Sequence, residues 1–151
     1  MIAGFAVFVL SVCLAIVQTG RSVKLGQENN LIVEGKPVDY IFFPGEQPLV
    51  SHGEFRFENK TSKAKTCAIK ACAFSENGAL VPVESFWIYA GETLLEREVT
   101  LPATSELRFR VTFPAREVHV GSRFKYEVRL TVECQGKHYV AASKVNVTQE
   151  K

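Results

Sequence analysis

The sequence predicts an all-β, two-sheet sandwich of about seven or eight antiparallel strands, preceded by an N-terminal hydrophobic segment. Three observations predict it. Apolar and polar residues alternate with a period of two over several stretches, turn residues recur about every eight to twelve positions, and no helical period follows the first twenty residues. The aromatic content supports the same reading, since eleven Phe, four Tyr and one Trp against a single Met suit a sheet core.

The N-terminal segment comes first. Ile2 to Val17 is an uninterrupted apolar run, followed by Gln18-Thr19-Gly20 and then by Arg21 and Lys24. It reads as a signal peptide cleaved near Ala15, Thr19 or Gly20, or as a retained anchor, so residues 1–20 are an address or a tether rather than core. In a retained anchor, Arg21 and Lys24 would favour a cytoplasmic domain by the positive-inside rule. Residues 21–30 form a polar linker, and the domain occupies 31–151.

Leu31 to Glu34 and Val38 to Phe43 are short apolar runs separated by Gly35-Lys36-Pro37, which predicts a broken first strand at a sheet edge. Phe55 and Phe57 alternate with Glu54, Arg56 and Glu58. After the polar turn Asn59 to Lys63, a strand runs from Lys65 to Phe74, and Asn77-Gly78 makes the next turn. Phe86 to Tyr89 is apolar on both parities; Leu95, Val99 and Leu101 form one alternating face on which Arg97 is the exception. Leu107 to Phe113 alternates up to Pro114. The clearest signal is a hairpin. Phe124, Tyr126, Val128, Leu130, Val132 and Cys134 share one face, Gln135-Gly136 turns, and Tyr139, Ala141, Ser143, Val145 and Val147 return.

Composition sets the outer limits of function. A net charge of +2 with interleaved signs offers no sustained field for a phosphate backbone, so nucleic acid is not an expected partner. The chain has one Asp, at position 39, and its Glu residues sit at outward strand positions, which disfavours calcium. No nucleophile motif accompanies His52, His119 or His138, so neither an enzyme nor a cofactor is expected.

The cysteines are the sharpest handle. Removal of Cys13 with a signal peptide leaves Cys67, Cys72 and Cys134, of which Cys134 lies on an inward parity and calls for a partner on the facing sheet. Cys67 shares its parity with Ile69, whereas Cys72 would need a bulge; both remain candidates. Three reduced, buried thiols are the competing reading. Zinc on Cys67, Cys72, Cys134 and His138 is disfavoured, because residues five apart on a strand are about 16 Å apart. Asn59-Lys60-Thr61 and Asn146-Val147-Thr148 are glycosylation sequons at positions expected to be exposed.

Glu106, Arg108 and Arg110, with Lys125, Glu127, Arg129 and Glu133, read as an outward row of ion pairs. Phe86, Trp87, Ile88 and Tyr89 form the candidate partner-binding run, in competition with a structural role in which Trp87 packs on the core cysteine.

Phe55 to Thr61, Gly78 to Trp87, Val99 to Pro102 and Val132 to Val147 resemble an immunoglobulin-like sandwich. In rhythm they are similar to the first of the two C-terminal β-sandwiches of transglutaminases and, more distantly, to bacterial adhesion-type domains; the order Cys72, Trp87, Cys134 matches that of immunoglobulin domains. The resemblance spans Glu54 to Val147 and implies architecture alone. From it follows the functional expectation of a non-catalytic, secreted or membrane-tethered module that binds a protein partner, in an extracellular, periplasmic or ER-lumenal setting, with the membrane touched only through residues 1–20. The alternatives are a membrane-anchored accessory subunit of a larger complex and a small secreted hydrolase or metal-binding protein.

Overall fold

The computed structural model describes residues 30–151. The expected signal or anchor segment, Cys13 and nearly all of the linker lie outside the described residues. Among the described residues, eleven strands form two sheets. Sheet A has the order β1 (Leu31–Lys36), β3 (Leu49–Asn59), β9 (Ser105–Glu117), β6 (Trp87–Ala90) and β7 (Thr93–Leu95). Sheet B runs β2 (Val38–Phe42), β11 (Lys137–Gln149), β10 (Tyr126–Cys134), β4 (Lys65–Glu76) and β5 (Ala79–Val83), with β8 (Glu98–Leu101) also on β4.

The long strands are those that alternation picks out. In β10, Tyr126, Val128, Leu130, Val132 and Cys134 are buried and the residues between them are not. Gln135 and Gly136 both take positive φ, which closes β10 onto β11 through a two-residue turn with Cys134 opposite Lys137. The two sheets enclose a core rich in rings, where Phe57 meets Phe109 edge-on and Phe74 stacks on Tyr126.

The strand count exceeds the expected seven or eight because the segment from 79 to 101 divides into four short strands. Its one long alternating run is broken at Glu96 and Arg97, where the chain passes from sheet A to sheet B. Arg97 therefore leaves the apolar face. Its guanidinium lies 3.6 Å from the centre of the Phe86 ring and donates to the Phe86 carbonyl. Pairing is also not wholly antiparallel, since β2 joins β11 in parallel. Pro37 marks the cause. The first strand breaks there, with β1 at the edge of sheet A and β2 at the edge of sheet B, so β2 keeps the direction of β1 while changing partners.

The sheets nearly touch at one side. A Cβ on Gly35 would fall 1.9 Å from the Ala142 carbonyl oxygen, so only glycine fits. Beside it the buried Ser143 hydroxyl donates to the Lys36 carbonyl at 2.6 Å and accepts from the Glu54 amide at 3.0 Å, tying β11 to both β1 and β3.

Cys67 and Cys134 form a disulfide. They are directly opposite on the adjacent strands β4 and β10, which corrects the expectation of a partner on the facing sheet. Cys72 stays free and buried. A bulge explains how both β4 cysteines point inward: Thr131 pairs with Ala71 and Val132 with Ile69, leaving Lys70 as the extra residue.

Candidate functional site

The outer face of sheet A divides into two halves of different chemistry. In one, Arg56 bonds Glu34 at 2.8 Å, Glu58 at 3.0 Å and Glu106 at 3.4 Å, while Arg108 reaches Glu106 at 2.6 Å. These charges satisfy one another. Burial pushes the Glu34 carboxyl up, but the hydrogen bonds from Arg56 and Lys36 outweigh it and leave it below the usual range.

The other half is mixed, with polar and charged residues on β1, β3 and β9 and large aromatic or apolar ones on β6 and β7. Strand pairing lays out one cross-sheet row as Lys36, Glu54, Arg110, Tyr89 and Leu94, and a second as His52, Thr112 and Trp87. Trp87 and Tyr89 are two apart on β6, so both point outward, and Leu94 stands opposite Tyr89 on the same face. Trp87 is 46% exposed and Leu94 58%, while Tyr89 is half-buried. The Arg110 guanidinium lies 5.3 Å from the Tyr89 ring centre. An open cleft of about 570 Å³ beside them is lined by Lys36, Glu54, Tyr89, Arg108 and Arg110 among others.

This arrangement splits the run Phe86 to Tyr89. Phe86 and Ile88 are buried and cannot meet a partner, so the candidate surface contracts to Trp87 and Tyr89. Trp87 does not pack on the disulfide, because it faces away from the core. Leu94 was not legible as part of the site; only pairing of β6 with β7 brings it beside Tyr89.

The remaining sequence candidates fall elsewhere. Asn59 is 1% exposed, contrary to its expected exposure, and its amide nitrogen donates to the carbonyls of Lys63, Leu101 and Pro102. Its side chain closes the β3–β4 turn. Asn146 donates to Asp39 across the parallel β2–β11 pair. The single outward row of charges is two rows, because Glu106, Arg108 and Arg110 lie on sheet A whereas Glu127, Arg129 and Glu133 lie on sheet B. Each row pairs within its own sheet, Arg129 with Glu127 and Lys70 with Glu133 on the second. The zinc set is dismantled by the bond between Cys67 and Cys134. Burial, the largest influence, pushes the Cys72 thiol up to about 12 against the pull of Arg116 and Arg97, so it is a packed, protonated thiol.

His52 sits where the β3–β9 register shifts, with the extra residues on β9 between Thr112 and Arg116. The Ser51 and His52 amides donate to the Tyr40 hydroxyl oxygen at 3.2 and 3.1 Å, and that hydroxyl donates to His52 Nδ1. With two amides already on the oxygen, the hydroxyl hydrogen is directed to Nδ1, an arrangement that suits the neutral imidazole protonated on Nε2. Burial lowers its affinity for a second proton, with Glu54 opposing and Arg110 assisting.

Together these features define a two-sheet, all-β sandwich of immunoglobulin-like strand order, with Trp87, Tyr89 and Leu94 gathered on the outer face of sheet A. No protein-family model matches the sequence, and no curated protein does. Among solved structures, the chain is similar to PapD-like domain 7 of human CEP192, at 13% identity over 82% of this chain and 88% of that one, with a TM-score of 0.45. It is similar also to the E. coli chaperone DraB, at 11% identity and a TM-score of 0.45, covering 79% of this chain and 54% of DraB. A family 123 glycoside hydrolase from Clostridium perfringens matches at 10% identity over 80% of this chain and 28% of its own, with a TM-score of 0.46. The chain thus spans about half of DraB and less of the hydrolase. The likeness to transglutaminase sandwiches extends to the shared immunoglobulin-like architecture and no finer.

Proposed function

We propose that this chain is a non-catalytic, extracytoplasmic binding module whose outer sheet A face, at Trp87, Tyr89 and Leu94, docks a protein partner. One observation carries the reading. Three large side chains gather on a face whose other half is saturated with ion pairs, and Trp and Tyr with a neighbouring Arg110 are the residue types that anchor protein interfaces. The Cys67–Cys134 disulfide supports an oxidising compartment.

The test is site-specific crosslinking in cells that secrete the protein. A photo-reactive amino acid at position 94 should give a discrete adduct that Trp87→Ala abolishes, while the same group at position 144, on the exposed outer side of sheet B, gives none. Loss of Trp87 should weaken binding by about 2 kcal/mol, roughly 30-fold. Equal adducts from both positions, or none from 94, would refute it.

A further inference from the structure

The cleft beside Tyr89 holds a cation that its own sheet does not answer. On the outer face of sheet A, Lys36 pairs with Glu34 at 3.2 Å, Arg56 with Glu34, Glu58 and Glu106, and Arg108 with Glu106. Arg110 differs. Among the described residues no carboxylate lies within ion-pair distance of its guanidinium, and the residue lines the cleft with its charge 5.3 Å from the Tyr89 ring centre. Glu54 stands opposite it on β3 but beyond that distance, and Lys36 stands opposite Glu54 on the other side. The cross-sheet row thus passes from alternating charge at Lys36, Glu54 and Arg110 to the large side chains of Tyr89 and Leu94.

We infer that the protein partner presents a single carboxylate to Arg110, from an Asp or Glu in an extended segment, with an apolar side chain two residues along that segment against Tyr89 and Leu94. This rests on the docking face proposed above and adds the chemistry of what that face takes. Charge complementarity selects the group. A half-buried guanidinium beside an aromatic ring keeps its fork of N–H donors for a planar carboxylate, which accepts two parallel hydrogen bonds. Glu54 limits the incoming charge, because the second negative charge of a phosphate, or a run of acidic residues, would lie against its carboxylate. Spacing supplies the apolar half. Tyr89 and Leu94 lie one and two strand spacings from Arg110, about 5 and 10 Å, whereas alternate residues of an extended segment are about 6.6 Å apart. An acidic residue over Arg110 therefore sets the next residue on the same side between Tyr89 and Leu94.

The test selects phage-displayed random peptides on the full chain recovered from a secretory host, then measures the enriched peptides, made synthetically, by fluorescence anisotropy. They should carry Asp or Glu two residues from an aromatic or aliphatic residue. Arg110→Gln should weaken a selected peptide about tenfold, the worth of a hydrogen bond to a charged group, and Arg110→Lys should weaken it less. Glu54→Gln should bind the same peptide more tightly, since the incoming carboxylate loses a repelling neighbour. Changing the peptide's acidic residue to its amide should cost the native chain the same tenfold and the Arg110→Gln variant almost nothing. Enriched peptides without an acidic residue, affinities indifferent to Arg110→Gln, or weaker binding by Glu54→Gln would overturn the inference. Where such peptides still require Trp87, the partner reading stands without it. Failure to enrich any peptide would overturn the inference too, and a Trp87-dependent adduct from position 94 would then keep the partner reading standing.

Discussion

At the scale of single residues, Tyr40 and His52 show how the fold uses a polar group it cannot leave unpaired. Where the β3–β9 register shifts, the Ser51 and His52 amides turn to the Tyr40 oxygen, which accepts both. Tyr40→Phe should cost about 1 to 3 kcal/mol, the range for stranded polar groups, read from denaturant midpoints. Its partner sets a pH dependence. The folded state holds His52 neutral and lowers its pKa, so as pH falls the unfolded chain binds the proton first. Stability should be flat above about pH 6.5 and decline as pH falls below that value, and His52→Gln should remove the decline in urea titrations between about pH 7 and pH 5.5. Gly35→Ala addresses steric rather than polar constraint. With backbone atoms 1.9 Å from the new carbon, the sheets must separate locally, at a cost of about 3 kcal/mol or more in the same assay. Neither position announces itself in sequence. Alternation places His52 nowhere, since the burial parity of β3 changes between Val50 and Gly53 where its register with β9 shifts, and Gly35 looks like an ordinary turn glycine before Pro37.

Among elements, the central hairpin was legible because burial on one face imposes a period of two, and no bulge interrupts β10 or β11 where they pair. β4 was harder. Its extra residue at Lys70 puts Cys67 and Cys72 on the same face despite their odd spacing, so parity alone could not choose between them. The order Cys, Trp, Cys pointed to an inter-sheet bond with Trp87 against it; instead the bond staples neighbouring strands, and Trp87 is released to the surface. Half of the candidate site was therefore visible as Trp87 and Tyr89, and the rest, Leu94 and Arg110, required the pairing of β7 and β9 with β6. The staple closes a separation of 67 residues, for which chain entropy gives about 4 kcal/mol. Cys67→Ala with Cys134→Ala should lower unfolding free energy by roughly that amount in denaturant titrations. Cys72→Ala should cost less, a small cavity at most, because that thiol bonds to nothing.

For the whole molecule, the proposed docking face at Trp87, Tyr89 and Leu94 lies on the outer side of one of the two sheets. The proposed extracytoplasmic setting is one in which a bond such as Cys67–Cys134 persists, so the compartment is the part of the proposal to test first. The most direct measurement is the intact mass of the full chain expressed in a secretory host, taken with and without alkylation under denaturing conditions. The account predicts a species in the medium that lacks about 15 to 20 N-terminal residues and takes up one alkyl group, at Cys72, with Cys67 and Cys134 unreactive until reduced. A full-length chain confined to membranes, with all its cysteines alkylated without reduction, would contradict it.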